Sequence, residues 1–303
     1  MSTTNPPRPA VSQRDELQMQ EEELRLQARM GDIGRKILVL SGKGGVGKST
    51  VAANLASHLA FAGKKVGLLD VDVHGPSIPK MVGLEGRSVE MRGEELVPIQ
   101  VSENLTVMSI GFLLSGGSDP VIWRGPRKYH LIRQFLADVC WGRLDYLVVD
   151  FPPGTGDEPL AVAQMVGASA EAVIVTTPQD VAVADVRRCV SFCNALSLSI
   201  AGVVENMSGL ECPKCGERID LFKRGGGAML AREANVPLLG QIPIDLEVVA
   251  AGDAGIPISE DGPQSAAARA FSGVVKSVLA SNAEEEGGED SSWRPSGPDN
   301  MSV

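Results

Sequence analysis

The strongest indication of the fold in this chain is the stretch Gly42-Lys43-Gly44-Gly45-Val46-Gly47-Lys48-Ser49-Thr50. It matches the phosphate-binding pattern G-x-x-x-x-G-K-[ST]. An apolar run at residues 36–40 precedes it, and residues 51–60 follow it with a helical pattern. This order of strand, glycine-rich loop and helix predicts a nucleotide-binding P-loop. The alternative is a glycine-rich turn that binds nothing.

Several residues of this loop are expected to contact a polyphosphate. Glycines allow backbone N–H groups to approach the phosphates, and the N-terminus of the following helix directs its positive end at the same anion. We expect Lys48 to neutralise the β- and γ-phosphates and the Ser49 hydroxyl to bind Mg²⁺. Residues 42–50 are therefore assigned to the nucleotide, with Lys48 as a catalytic residue and Ser49 as a metal ligand.

A second lysine, Lys43, stands near the start of the loop. The motif Gly-Lys-Gly-Gly-Val-Gly-Lys-Ser-Thr resembles the deviant Walker A loop of a superfamily of dimeric ATPases. That superfamily includes the Mrp/ApbC (nucleotide-binding-protein) scaffolds, MinD-like and ParA-like proteins, and nitrogenase iron protein. The resemblance implies a sandwich dimer in which Lys43 acts as a catalytic residue on the nucleotide of the partner. The alternative for Lys43 is a solvated loop lysine.

Composition restricts the class of protein. The chain has 303 residues, and 28 basic against 38 acidic side chains give a net charge of −10, which argues against a broad nucleic-acid footprint. We find no apolar window of about 20 residues and no basic-then-apolar leader, so we expect a cytoplasmic protein with no membrane partner. Five cysteines without an export signal indicate reduced thiols or a metal site.

Two apolar runs of the sequence each end in an aspartate. In a parallel sheet that binds a nucleotide, buried strands commonly end in this way at the edge where the nucleotide lies. Residues 145–150 end at Asp150, which fits a Walker B acid and predicts an Mg²⁺ ligand. Residues 65–70 end at Asp70, which could serve the site or could only cap the next turn; both interpretations stay open. The following Asp-Val-Asp-x-x-Gly-Pro-Ser resembles switch I of the superfamily, and this implies that Asp72 is a catalytic residue that orients the attacking water.

A second centre of chemistry is the stretch Cys212-Pro213-Lys214-Cys215-Gly216. The C-P-x-C-G spacing is typical of a metal knuckle whose two thiolates converge on one ion. Four-ligand sites need another pair, and no second C-x-x-C exists in the sequence, so the pair is expected from an identical or related subunit. Spacing alone leaves zinc, an iron–sulfur cluster and a redox dithiol open. Cys189 and Cys193, four apart on one predicted helix, are expected to be core thiols.

The surroundings of this cysteine pair resemble the Mrp/ApbC-type iron–sulfur carriers. The similarity lies in Glu-Asn-Met-Ser-Gly-x-x-Cys-x-x-Cys, the glycines at 225–227, and residues 239–245. It implies that Asn206 and Pro243 contact the nucleotide base. It also implies that Cys212 and Cys215 hold a labile [4Fe–4S] cluster across a dimer and pass it to apo iron–sulfur client proteins. The dimer would be a homodimer, or a heterodimer or tetramer with a paralogue.

These observations predict a doubly wound, mostly parallel α/β P-loop NTPase domain at residues 33–280, which contains the metal-binding loop 206–227. Residues 1–32 are expected to be a disordered, then helical extension whose helix, at 13–30, is solvated. Residues 281–303 are expected to be an acidic, disordered tail.

The function we expect is that of a slow ATP hydrolase that serves as an iron–sulfur scaffold and carrier, with ATP, Mg²⁺ and a [4Fe–4S] cluster as cofactors. One alternative is a MinD- or ParA-like positioning switch ATPase, which would need an amphipathic membrane helix or a basic DNA-binding face that the acidic tail does not supply. Another is a zinc-bound nucleotide-binding module without turnover.

Overall fold

The computed structural model of the protein describes residues 13–73, 75–114, 126–167, 169–212, 214–258 and 265–287. Within these ranges the strands and helices are numbered in chain order. The helices are α1 (Gln13–Gly31), α2 (Lys48–Phe61), α3 (Ile78–Met81), α4 (Gly111–Leu114), α5 (Pro126–Asp138), α6 (Asp157–Val166), α7 (Asp180–Ala195), α8 (Gly226–Glu233), α9 (Leu246–Ala254) and α10 (Ala266–Gly287).

Eight strands form the central sheet. In spatial order they are β12 (Leu238–Gln241), β9 (Ser199–Glu205), β8 (Ala170–Thr176), β1 (Ile33–Leu40), β7 (Leu144–Asp150), β2 (Val66–Asp70), β6 (Leu105–Ser109) and β5 (Ile99–Ser102). All neighbouring pairs are parallel except β5 with β6, which is antiparallel. Helices flank this sheet, so the predicted mostly parallel α/β P-loop fold is confirmed.

The sheet is buried because its central strands are apolar on both faces, as parallel strands covered by helices must be. In β1, the side chains of Ile37, Leu38 and Val39 have no exposed surface. Helix α2 packs against β1, β2 and β7 and contacts α10. Cys189 and Cys193 lie in the same core, as predicted, and burial raises the pKa of Cys193 to about 12.

Two small hairpins stand outside the main sheet. The first pairs β3 (Glu90–Arg92) with β4 (Glu95–Val97). The second pairs β10 (Leu210–Glu211) with β11 (Arg218–Ile219) and carries the cysteine pair at its tip. No helix within the described ranges has both the length and the apolar composition needed to cross a membrane.

The prediction of a solvated N-terminal helix is wrong for one face of α1. Leu17 and Leu24 are exposed, but Leu26 and Met30 are buried. Their i, i+4 spacing places them on one side of the helix, and α1 packs against α5. Arg133 of α5 also binds the Glu23 carboxylate at 2.7 Å. The sequence pattern alone does not indicate this face, because the burial of Leu26 and Met30 depends on the partner helix α5.

The boundary set for the acidic tail is also wrong, because α10 continues to Gly287. The guanidinium of Arg35 donates to the carbonyl of Val278 at 2.8 Å and to the Ser281 hydroxyl at 3.3 Å. Residue 281 is therefore helical and anchored to β1. The disorder predicted for residues 1–12 and 288–303 falls outside the described residues.

Candidate functional site

The parallel sheet brings the predicted phosphate and magnesium residues to one edge. Asp150 lies at the end of β7, where it is in register with Val39 of β1 and with Asp70 of β2. The P-loop leaves β1 at this same edge. The carboxyl ends of adjacent parallel strands thus place the two acids beside the loop, as expected for the nucleotide crevice of an open α/β sheet.

The conformation of the P-loop depends on its glycines. Gly45 and Gly47 have φ values of 82° and 81°, which side-chain-bearing residues rarely adopt. Helix α2 begins at Lys48 with Gly47 as its N-cap and has no side-chain cap. The first N–H groups of the helix are therefore available to an anion.

Lys48 and Asp150 form a buried ion pair through the lysine ammonium and Asp150 Oδ1. The ammonium also lies 3.5 Å from the Ser49 hydroxyl, and Ser49 lies beside the same carboxylate. The second oxygen of Asp150, Oδ2, is buried and has no hydrogen-bond partner among the described residues. An unsatisfied carboxylate oxygen next to a serine hydroxyl is a donor set that suits Mg²⁺.

Burial disfavours the ionised form of the two acids at this edge, Asp70 and Asp150. Burial raises the pKa of Asp150, while the charge of Lys48 opposes the shift. Burial, and then the nearby Asp150 charge, raise the pKa of Asp70 to about 7, although a hydrogen bond from the Ser109 hydroxyl at 2.9 Å lowers it. Two buried carboxylates beside a single lysine form a site that a divalent cation would stabilise.

Asp70 and Asp72 organise the turn after β2. The Asp70 carboxylate accepts from the backbone N–H groups of Asp72 at 3.1 Å and Ile78 at 3.3 Å, which is the capping role left open for Asp70. Asp72 is half-buried, and its Oδ1 accepts from Gly75 N–H at 3.3 Å. The two aspartates of the predicted switch I segment, Asp70 and Asp72, thus both lie at the nucleotide edge.

Lys43 is partly exposed at the start of the P-loop. The Lys43 carbonyl accepts from the Ser41 hydroxyl at 3.0 Å, which fixes its backbone. Its ammonium forms no hydrogen bond or ion pair with the described part of the chain. This position is compatible with a contact to a second subunit.

Asn206 and Pro243 lie in different surroundings. The buried Asn206 side chain donates to the carbonyl of Val46 at 2.9 Å, and a Cβ on Gly47 would come within 2.2 Å of its amide nitrogen. Asn206 is therefore packed against the P-loop. Pro243 instead lines a cavity of about 250 Å³ with Ser208 and Arg218, and that cavity does not include Asn206.

The hairpin β10–β11 presents the two cysteines at the surface. The N–H of Cys212 donates to the carbonyl of Glu217 at 2.9 Å, and Gly216 N–H donates to the carbonyl of Cys212 at 2.8 Å. Cys212 is half-buried and Cys215 is exposed. The backbone N–H groups of Lys214 and then Cys215 lower the pKa of the Cys212 thiol, as in a metal knuckle.

This knuckle supplies two thiolates, and the described residues contain no group of three or more metal-binding side chains. A four-thiolate site would therefore need a pair from another chain.

The sequence interpretation missed Glu205 and Arg218, which support the hairpin. Glu205 is fully buried at the end of β9. The signal was present, because an acid also closes this apolar strand, as Asp70 and Asp150 close theirs. Arg218 had no comparable signal, since its contact with the Ser208 carbonyl at 2.7 Å exists only after the hairpin forms.

A P-loop on a mostly parallel sheet, with its lysine against the acid that ends a neighbouring strand, defines a P-loop NTPase. Comparison with known families is consistent with this class. The model of the ParA family, described as NUBPL iron-transfer P-loop NTPase, matches residues 32–279. The chain belongs to this family.

Three similar proteins extend the comparison. The iron-sulfur cluster carrier protein of Methanocaldococcus jannaschii is 48% identical, over 78% of this chain and 82% of its own length. The cytosolic Fe-S cluster assembly factor NUBP2 of Bos taurus is 49% identical, over 80% of this chain and 92% of its own. A nucleotide-binding protein of Archaeoglobus fulgidus, solved in complex with ADP, is 44% identical with a TM-score of 0.69, and the match covers 77% of this chain and 91% of that one.

Proposed function

We propose that this protein is an ATP-hydrolysing carrier that holds a [4Fe–4S] cluster between two subunits and delivers it to apoproteins. The observation that carries the proposal is the surface hairpin β10–β11, which presents the half-buried Cys212 and the exposed Cys215 together at its tip. Soft thiolates held in this way suit a cluster as well as zinc. The working unit is the domain of residues 33–280 together with α1 and the end of α10, which pack against it.

The relatives support the cluster over other cargoes. One is named an iron-sulfur cluster carrier and another a cytosolic Fe-S cluster assembly factor. These names do not favour the alternative of a positioning switch ATPase. The second name also supports a cytoplasmic location. The solved structure from Archaeoglobus fulgidus contains ADP, which supports an adenine nucleotide at the P-loop.

At the nucleotide edge, each side chain has a distinct part in ATP hydrolysis. Lys48 releases Asp150 and binds the β- and γ-phosphates. Asp150 and Ser49 would hold Mg²⁺, which would neutralise phosphate charge. Asp72 orients the attacking water in line with the γ-phosphate, and Lys43 reaches the nucleotide of the partner.

Cluster binding requires two subunits because each chain offers two thiolates. A two-fold axis through the cluster brings Cys212 and Cys215 of each subunit together, and the second subunit is either another copy or a paralogue. ATP affects the hold on the cluster only if it binds two dimer arrangements unequally. We assign the nucleotide this role and the apo iron–sulfur proteins the role of acceptors.

Anaerobic reconstitution with iron and sulfide tests the proposal. We expect about four irons and four acid-labile sulfides per dimer in the wild type, and none in Cys212→Ala/Cys215→Ala. Cys140→Ala is the matched control, because Cys140 is also only partly buried but lies outside the hairpin; it should load like the wild type. Uptake of zinc alone would overturn the carrier proposal. It would instead support a zinc-bound nucleotide-binding module, the second candidate function that the same knuckle allows.

A further inference from the structure

Glu205 is a fully buried carboxylate at the end of β9, and it belongs to neither the predicted nucleotide ligands nor the predicted metal ligands. Its Oε1 accepts from the Ser208 hydroxyl at 2.6 Å, the Gln241 amide at 2.7 Å and Gly225 N–H at 3.4 Å, and its Oε2 accepts from Gly227 N–H at 2.6 Å. Among the described residues it forms no ion pair with Lys or Arg. A buried charge is tolerated only when such hydrogen bonds compensate it, so Glu205 holds these four groups together.

The glycine run at 225–227 is explained by this carboxylate. Helix α8 begins at Gly226, and Gly225 has a φ of 86°. A Cβ on Gly227 would lie 2.8 Å from the Cβ of Glu205. Glycine is required here because it lets the first N–H groups of the helix reach the acid, whose negative charge also suits the positive end of the helix.

From Ser208 the network continues to the cysteine hairpin. The Ser208 carbonyl accepts from the Arg218 guanidinium at 2.7 Å. Arg218 of β11 is paired in register with Glu211 of β10, the residue before Cys212. Glu205 therefore fixes the base of the hairpin through Ser208 and Arg218.

In the other direction the same segment meets the P-loop. Asn206, the neighbour of Glu205, donates from its side chain to the Val46 carbonyl at 2.9 Å and from its backbone to the Thr176 carbonyl at 2.7 Å. Residues 205–209 thus contact the nucleotide loop at one end and the thiolate hairpin at the other. A continuous set of bonded groups of this kind is able to carry coupling between two sites.

We propose that Glu205 is the positioning residue that couples the nucleotide site to the Cys212/Cys215 pair. When a nucleotide changes the contact between Asn206 and the P-loop, the network around Glu205 moves Ser208 and Arg218, and the hairpin follows. The inference rests on the proposed function for what the thiolates hold, but the coupling itself is measurable without a cluster. By linkage, a metal on the thiolates must change nucleotide affinity by the same factor.

The test measures the alkylation rate of Cys212 by iodoacetamide, read by mass spectrometry of the full chain with and without Mg–ADP. Protein concentration is chosen so that light scattering gives the same oligomeric state in both samples. We expect the nucleotide to change the wild-type rate by about fivefold or more. In Glu205→Gln, where an amide N–H₂ faces Gly227 N–H, the two rates should become equal while the dissociation constant for ADP stays within about twofold.

Glu211→Gln is the matched control, because Glu211 is exposed and next to Cys212; it should keep the wild-type ratio of rates. If Glu205→Gln fails to fold, Ser208→Ala decides, since it removes only the hydroxyl that links Glu205 to the hairpin and should reduce the ratio. A folded Glu205→Gln or Ser208→Ala with the wild-type ratio would overturn the inference.

The alkylation test and the cluster reconstitution together distinguish the coupling proposal from the carrier proposal. If the wild type binds a cluster but nucleotide does not change the alkylation rate of Cys212, the coupling proposal is overturned and the carrier proposal stands. A wild type whose Cys212 rate responds to the nucleotide but that binds no cluster would leave the coupling intact and overturn the carrier.

Discussion

The ammonium group of Lys48 lies against the carboxylate of Asp150, so the proposed phosphate ligand neutralises the proposed magnesium ligand. Both side chains are buried. In the proposed mechanism, a phosphate group would take the place of Asp150 beside Lys48, and Mg²⁺ would take the place of Lys48 beside Asp150. The exchange would leave no buried charge unpaired. An unpaired charge would be costly in this buried part of the protein.

Removal of this lysine should destabilise the protein when nucleotide is absent. We expect Lys48→Ala to lower the free energy of unfolding by about 3 kcal/mol, since it leaves Asp150 buried without its counter-ion. Urea denaturation in EDTA measures the change. The double variant Lys48→Ala/Asp150→Asn should recover most of the loss. Equal instability of the single and double variants would show that the ion pair is not the cause.

The close approach of Asn206 to the P-loop predicts unequal effects of two glycine substitutions. Gly47→Ala should lower the free energy of unfolding by about 2 kcal/mol or more, because Gly47 has a positive φ and the new Cβ would meet the Asn206 amide. Gly44→Ala is the control: it has no atom within 4 Å of the new Cβ and should change stability by less than about 0.5 kcal/mol. Thermal unfolding without nucleotide compares them, and equal shifts would contradict the packing described.

Asp72 should be needed for hydrolysis and not for binding. We expect Asp72→Asn to reduce phosphate release by about 100-fold or more, because the attacking water loses the acceptor that aligns it, while ADP affinity stays near the wild-type value. Asp253→Asn replaces an exposed aspartate of α9 and should hydrolyse ATP normally. Unchanged turnover in Asp72→Asn would remove the hydrolytic role from this residue.

The cysteines should differ in their pH profiles of alkylation. Backbone N–H groups lower the pKa of Cys212, so its reactive thiolate should persist to a lower pH than that of an ordinary thiol with a pKa of about 8.5. Cys193 is buried, with a pKa of about 12, and should remain unmodified in the folded protein. Mass spectrometry after timed alkylation across pH measures both, and in urea the two profiles should coincide. A Cys212 profile with an ordinary midpoint when folded would contradict the knuckle geometry.

Much of the nucleotide edge could be predicted from sequence because its signals are local. The P-loop is a continuous motif, and an acid at the end of an apolar strand lies at the carboxyl edge by the geometry of parallel sheets. The support of the cysteine hairpin could not be predicted in this way. The partners of Glu205 come from residues 208, 225, 227 and 241, which meet only when the strands and α8 have packed. The buried face of α1 likewise depends on α5.

Transfer of a cluster to an apoprotein tests directly whether this protein is a carrier. The reconstituted protein is mixed anaerobically with the apo form of a [4Fe–4S] dehydratase in the presence of a chelator that captures free iron, and recovery of dehydratase activity is followed. We expect wild type and Cys140→Ala to restore activity and Cys212→Ala/Cys215→Ala not to restore it. Equal recovery with the double variant, or no recovery with a cluster-loaded wild type, would contradict the assignment of this protein as a carrier.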